Sequence, residues 1–139
     1  MNYKDRYHDW MSWADDKTKD ELRSLTDEKD IEDRFYKDLE FGTAGLRGIM
    51  GAGSNRMNRY TVAKASKGLA DYLKATARES ISQGVVIAYD SRNHSQEFAK
   101  VAANVLTSAG IPVKLFKELE PIPVLSFAVK HFHALGGVV

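Results

Sequence analysis

The 139-residue chain contains no cysteine, which excludes disulfides, thiolate metal ligands and a cysteine nucleophile. It has only three prolines; they mark turns rather than an interdomain linker. No apolar run approaches the roughly 18 residues needed to cross a bilayer. Met1 is followed by Asn2-Tyr3-Lys4-Asp5-Arg6, which lacks the apolar core of a signal peptide. These absences fit a cytoplasmic protein without a membrane partner. There is no internal repeat and no low-complexity tract. A P-loop would need Gly-Lys-Ser/Thr, which does not occur. The pair Gly51-Ala52-Gly53 has Arg56 at the third glycine position of a dinucleotide fingerprint, and no clear strand precedes it. His131 and His133 are two apart on an expected helix, so they point different ways. His8 and His94 stand alone, and the acids before Asp38 are interleaved with lysines and arginines, as on a solvated helix face. No metal site is therefore expected in this chain.

What the chain does have is a soluble globular composition, 43% hydrophobic and 28% charged. The net charge of +1 hides an asymmetry. Residues 1–41 carry 8 Lys+Arg against 13 Asp+Glu, and residues 42–139 carry 12 against 6. Between Phe41 and Ala70 stand Arg47, Arg56, Arg59, Lys64 and Lys67 with no acid among them. Such a local positive field suits an anionic ligand but is too small for a nucleic-acid partner. Inside it lies Phe41-Gly42-Thr43-Ala44-Gly45-Leu46-Arg47-Gly48, the start of a stretch in which Gly42, Gly45, Gly48, Gly51 and Gly53 fall within twelve residues. A backbone without Cβ atoms approaches a ligand closely, and an arginine offers a planar fork of donors to phosphate oxygens. The alternative is a surface loop with a solvated arginine.

Three helical stripes precede this loop. Tyr3, Tyr7, Trp10, Met11 and Ala14 share one face. Thr18 and Glu21 have the spacing of a capping box in front of Leu22 and Leu25, and Ile31, Phe35, Tyr36 and Leu39 form the third stripe. Behind the loop, Val62, Ala65, Ser66, Leu69, Ala70 and Leu73 mark a longer helix, capped by Asn58 or Thr61. The run Val85 to Tyr89 reads as a strand buried on both faces. It leads through the polar turn Asp90-Ser91-Arg92-Asn93-His94-Ser95 into a helix with Phe98, Val101, Ala102, Val105, Leu106 and Ala109 inward, ended by Gly110. A strand at Val113 to Phe116, a helix opened by Pro123 and a strand beginning at Val138-Val139 complete the order. Alternating strands and helices predict an α/β fold with a mostly parallel (mixed) sheet flanked by helices and a helical N-terminal extension. Ligands collect at the carboxyl ends of such strands, where Asp90 and Arg92 fall; they read as supports of an anion site, with a local turn in which Arg92 pairs with Asp90 or solvent as the alternative. The chain stops within Leu135-Gly136-Gly137-Val138-Val139, an apolar run, so a truncated domain is expected.

The segment Glu40-Phe41-Gly42-Thr43-Ala44-Gly45-Leu46-Arg47-Gly48 resembles the N-terminal signature of the α-D-phosphohexomutases. Asn55-Arg56-Met57-Asn58, Tyr89-Asp90-Ser91-Arg92 and Pro121-Ile122-Pro123 stand where that family carries similar segments, and Ile31-Glu32-Asp33-Arg34-Phe35 is similar to the bacterial phosphoglucomutase/phosphomannomutase type. The resemblance runs in order through essentially the whole chain. It implies domain I of a four-domain enzyme, with residues 1–40 as a helical lead-in and 41–139 as the α/β domain. The implied enzyme interconverts hexose 1-phosphate and hexose 6-phosphate through a phosphoserine and a bisphosphorylated sugar. Its cofactors would be Mg²⁺ and a hexose 1,6-bisphosphate activator, and its partners a sugar phosphate and the remaining domains. Arg47 would reach the phosphoserine or the bisphosphate, with Thr43 and Gly45 shaping that wall. The phosphoserine itself is expected just after Val139, so no catalytic residue is assigned here, and the fragment is expected to be inactive and prone to self-association. A free-standing sugar-phosphate-binding module and an interaction domain are the competing readings.

Overall fold

The computed structural model describes residues 2–42, 45, 46, 48–88, 95–115 and 136–138. They belong to two compact units, Met1–Thr61 and Val62–Val139.

In the first unit three short helices carry most of the core: α1 (Tyr3–Trp13), α2 (Asp16–Arg23) and α3 (Glu28–Phe35). Each begins where a side chain satisfies a free N–H of the first turn. Asn2 and Asp5 form a reciprocal capping box on α1, and Asp27 accepts from Lys29 N–H at the start of α3. For α2 the cap is Asp15, which accepts from Thr18 N–H at 2.8 Å. Thr18 is therefore inside the helix, and the expected Thr18–Glu21 capping box does not form. The stripes meet in part as expected: Trp10, Leu22, Phe35 and Ala52 are buried together, with Tyr3, Tyr7, Met11, Leu25, Ile31 and Tyr60 packed around them, but α3 ends at Phe35, so Tyr36 is its exposed C-cap and Leu39 lies beyond the helix. Trp10 stands edge-on to Phe35 and Tyr60, with ring centroids 5.7 and 5.4 Å apart, a geometry that aligns ring edges with ring faces. Burying Leu22 and Phe35 completely is worth about 1.5–3 kcal/mol each.

The same unit holds a feature not anticipated from sequence. Phe41–Gly42 (β1) pairs antiparallel with Gly45–Leu46 (β2), Phe41 opposite Leu46 and Gly42 opposite Gly45. The glycine loop thus opens as a two-stranded ribbon.

Helix α4 (Arg59–Thr76) starts in the first unit. In the second unit, a 3₁₀ turn (Arg78–Gln83) leads to β3 (Val85–Ile87), followed by α5 (Ser95–Ser108), β4 (Val113–Leu115) and β5 (Gly136–Val138). The strands form a parallel sheet in the order β4-β3-β5. The antiparallel pairing belongs to the separate β1–β2 ribbon, so the α/β expectation holds with two small sheets in place of one mixed sheet among the described residues. Central position explains the composition of β3: Val85, Val86 and Ile87 are all buried, as a strand covered on both faces requires. Val85 and Ile87 join Ala70 and Leu73 of α4 and Ala99, Ala102 and Leu106 of α5 in one core.

Two glycines set the turns of this unit. Gly84 has φ +73°, and a Cβ there would come within 2.4 Å of the Pro112 carbonyl oxygen, which already accepts from Val85 N–H at 2.9 Å. Gly110 (φ +86°) ends α5: its N–H donates to Thr107 O and Ile111 N–H to Leu106 O, a Schellman ending that seats the buried Ile111 against the helix. The expected helix opened by Pro123 lies outside the described residues.

Candidate functional site

Of the five residues singled out from sequence, Gly45 lies in β2, directly paired with Gly42. Thr43 and Arg47 lie outside the described residues, as do Asp90 and Arg92. What the structure does show is how the described limbs on either side of the ribbon are tied.

The limb entering the ribbon and the limb leaving it are tied together. Leu39 N–H donates to Ser54 O at 2.9 Å, and the Ser54 hydroxyl donates to Lys37 O at 2.9 Å. The leaving limb folds back on itself: Met57 N–H donates to Ile49 O at 2.7 Å and Gly51 N–H to Met57 O at 3.2 Å. Between them sits Ala52, whose two backbone polar groups are both taken by one ion pair. Its N–H donates to Glu21 Oε2 at 2.7 Å and its carbonyl accepts from Arg34 Nη1 at 3.1 Å, while Arg34 Nη1 and Glu21 Oε2 are 2.7 Å apart. The pair occupies Ala52 as a neighbouring strand would. Gly53, at φ +130°, passes so close to α3 that a Cβ would lie 2.7 Å from Arg34 O. Asn58 gathers the rest. Its side-chain amide donates to Gly51 O at 2.8 Å and Gly53 O at 3.0 Å, and its Oδ1 accepts from the N–H groups of Tyr60 and Thr61, both at 3.0 Å. Asn58 is thus the cap of α4, one of the two candidates, while Thr61 supports it by accepting from Asn58 N–H at 3.0 Å.

The electrostatics differ from the expectation of a free positive field. Arg56 is 6% exposed and paired with Asp33, with Asp30 3.8 Å away. Arg59 pairs with Asp15, and Lys67 with Asp71 at 2.7 Å. The acids that make residues 1–41 negative are in part the partners of these cations, so much of the charge asymmetry along the sequence cancels within the first unit. Charge alone therefore does not mark an anion site here.

Asp15 is the most perturbed member of this network. It caps α2, receives the Tyr60 hydroxyl at 2.6 Å and pairs with Arg59, while its own N–H donates to the Tyr60 oxygen at 2.9 Å. The Tyr60 hydrogen bond, then Thr18 N–H and the Arg59 charge, outweigh burial and lower its carboxyl from the ordinary 3.8 to about 2. A carboxylate depressed in the folded state stabilises fully above its unfolded pKa, and that contribution is lost as pH falls through the folded value. The stability difference between the native protein and Asp15→Asn should therefore be constant above about pH 5, shrink as pH falls below 4 and lose its carboxylate part only below about pH 2. Thermal melts of both proteins across that range check this; an unchanging difference down to pH 2 would show that Asp15 is not held as the anion.

Among the described residues no three His, Asp or Glu side chains come together as a metal-binding group, and no helix is long and apolar enough to cross a membrane.

Residues 38–139 match the family described as phosphoglucomutase/phosphomannomutase, alpha/beta/alpha domain I. The chain is 38% identical to a phosphoglucomutase of Staphylococcus haemolyticus, the match covering 94% of this chain and 23% of that protein. It is 35% identical to a human phosphopentomutase, again over 94% of this chain and 23% of the relative. A Staphylococcus aureus phosphoglucomutase is 43% identical over 81% of this chain and 20% of its own length. The chain thus spans about a quarter of the length of the curated relatives it matches. No solved structure matches it significantly.

Proposed function

Because the chain belongs to the phosphoglucomutase/phosphomannomutase family as its α/β/α domain I, we propose that it is the first of four domains of a mutase that interconverts hexose 1-phosphate and hexose 6-phosphate. In the proposed reaction a phosphoserine gives its phosphoryl group to the free hydroxyl of the sugar monophosphate. The bisphosphorylated sugar reorients, and its other phosphate returns to the serine oxygen. The serine, the magnesium-binding acids and the sugar-reading residues are assigned to parts of the enzyme beyond this chain; the described residues offer no group that fits magnesium.

The observation that carries this reading is the match of residues 38–139 to domain I of that family, and the register of the parallel sheet agrees with it. Ile87 of β3 is opposite Val138 of β5, so the segments that follow the two strands leave from the same carboxyl edge, where parallel sheets bind ligands. In sequence, Ala88-Tyr89-Asp90-Ser91-Arg92 follows β3, and the phosphoserine is proposed in the segment that follows β5. Asp90 and Arg92 are read as supports of that edge. Arg47 is read as the fork that holds phosphoryl oxygens, and Thr43 and Gly45 as the wall beside it.

The similarity to phosphopentomutases favours one second reading, in which the sugar is a pentose phosphate. The test is turnover by the full-length enzyme, with magnesium and the matching sugar bisphosphate, on glucose 1-phosphate, mannose 1-phosphate and ribose 1-phosphate. The hexose reading expects the highest kcat/KM on a hexose phosphate. Preference for ribose 1-phosphate would replace it with the pentose reading, and turnover of none would overturn both.

A further inference from the structure

The family match begins at residue 38, yet the turn at residues 48–61 has little core of its own inside that boundary. Its buried apolar contribution to the first unit is Ala52, with Tyr60 packed at the edge. The large buried members, Trp10, Leu22 and Phe35, all come from α1–α3. A segment this short does not bury enough surface by itself to offset the entropy of ordering it.

Its polar groups point the same way. Backbone N–H and C=O groups that leave water need partners, and those of the turn find them on α2 and α3. Ala52 N–H donates to Glu21, and Ala52 O accepts from Arg34. Asn55 N–H donates to Arg34 O and its side-chain amide to Asp33 O, both at 2.9 Å. The buried Arg56 has its charge beside Asp33 and Asp30; without them a buried guanidinium is left unpaired, which is strongly destabilising. Where the turn runs into α4, Arg59 and the Tyr60 hydroxyl both donate to Asp15, the cap of α2. The bonds of Met57 with Ile49 and Gly51, and of Asn58 with Gly51 and Gly53, close the turn on itself.

We propose that residues 1–37 and 48–61 are one cooperative folding unit. Helices α1–α3 are then the part of domain I that holds the turn in its fold, and not a lead-in that can be removed. The relatives agree with this: a match over 94% of the chain in the Staphylococcus haemolyticus and human proteins takes in most of residues 1–37 as well. The inference is independent of the sugar and of the reaction.

Hydrogen exchange in the full-length enzyme tests it. Deleting residues 1–37 leaves the family match whole. The amides of Ala52, Asn55 and Met57 should then exchange at the rate of an unfolded chain, while Val86 of β3, in the second unit, stays protected. Native protection of those three amides in the deleted enzyme would overturn the inference. Where the deletion unfolds the second unit too, Asp27→Ala decides. Asp27 caps α3, and its hydrogen bonds go to Lys29, Asp30 and Ile31, not to the turn. Losing such a cap should speed exchange roughly fivefold, and in one cooperative unit the protected amides of α1–α3 and those of Ala52 and Met57 rise by the same factor. Faster exchange confined to α1–α3, or native rates in both segments, would overturn the inference.

Discussion

Arg47→Ala in the full-length enzyme is expected to cut turnover by roughly a hundredfold or more. The charge that a phosphoryl group spreads over its oxygens during transfer needs fixed donors, and most of the catalytic benefit in such reactions comes from positioning and charge stabilisation. An arginine is permanently charged and planar, so two N–H groups meet two oxygens with little loss of freedom on binding. Removing one such donor costs about 2.7–4 kcal/mol of transition-state stabilisation in comparable electrostatic sites. Arg47→Lys should recover only part, since an ammonium is a point charge without the fork. Folding should be nearly unchanged in both variants. Among the described residues, the core of the first unit consists of Trp10, Leu22, Phe35 and Ala52 with their neighbours, and the base of the ribbon is tied by Glu21, Arg34, Ser54 and Asn58. Steady-state kinetics with thermal melts on the same preparations decide the matter. Near-native turnover in Arg47→Ala would remove the proposed role, and a collapsed melting transition would make the residue structural.

The helices and central strand were legible in sequence because their signals are periodic and local. Tyr3, Tyr7, Trp10 and Met11 repeat at helical spacing along α1. Val85-Val86-Ile87 is an unbroken apolar run, which a strand buried on both faces needs, and Gly110 marks a helix end because it takes a conformation that other residues resist. The ribbon at Phe41–Leu46 escaped notice for the opposite reason. Two residues per strand leave no alternation to read, and the glycines that allow the turn also read as loop.

The base of the candidate site was illegible in another way. Glu21 sits at the spacing of a capping box, and its actual partner, Ala52 N–H, is 31 residues away. Nothing local distinguishes a carboxylate that caps its own helix from one that clamps a distant peptide. Likewise Arg56 and Arg59 look like members of an unopposed basic stretch until the fold brings Asp33 and Asp15 to them. Asn58 was half legible: its type and place before a helical stripe identify a cap, but its grip on Gly51 and Gly53 depends on a turn that only the tertiary structure defines.

We propose this chain as the first domain of a phosphoserine enzyme whose nucleophile lies in another part of the protein. If so, residues 1–139 alone should neither turn over sugar phosphate nor take up phosphate, because a loop arginine has no oxygen to phosphorylate and a phosphoryl transfer of this kind needs a covalent acceptor. The full-length enzyme should do both. The most direct measurement incubates each protein with a labelled glucose 1,6-bisphosphate and maps the label by peptide digestion. Label is expected on a serine within the few residues that follow Val139 in the full-length enzyme, and none on the isolated chain. Label on a residue of the isolated chain, or an active full-length enzyme that carries no phosphoserine in that segment, would contradict it.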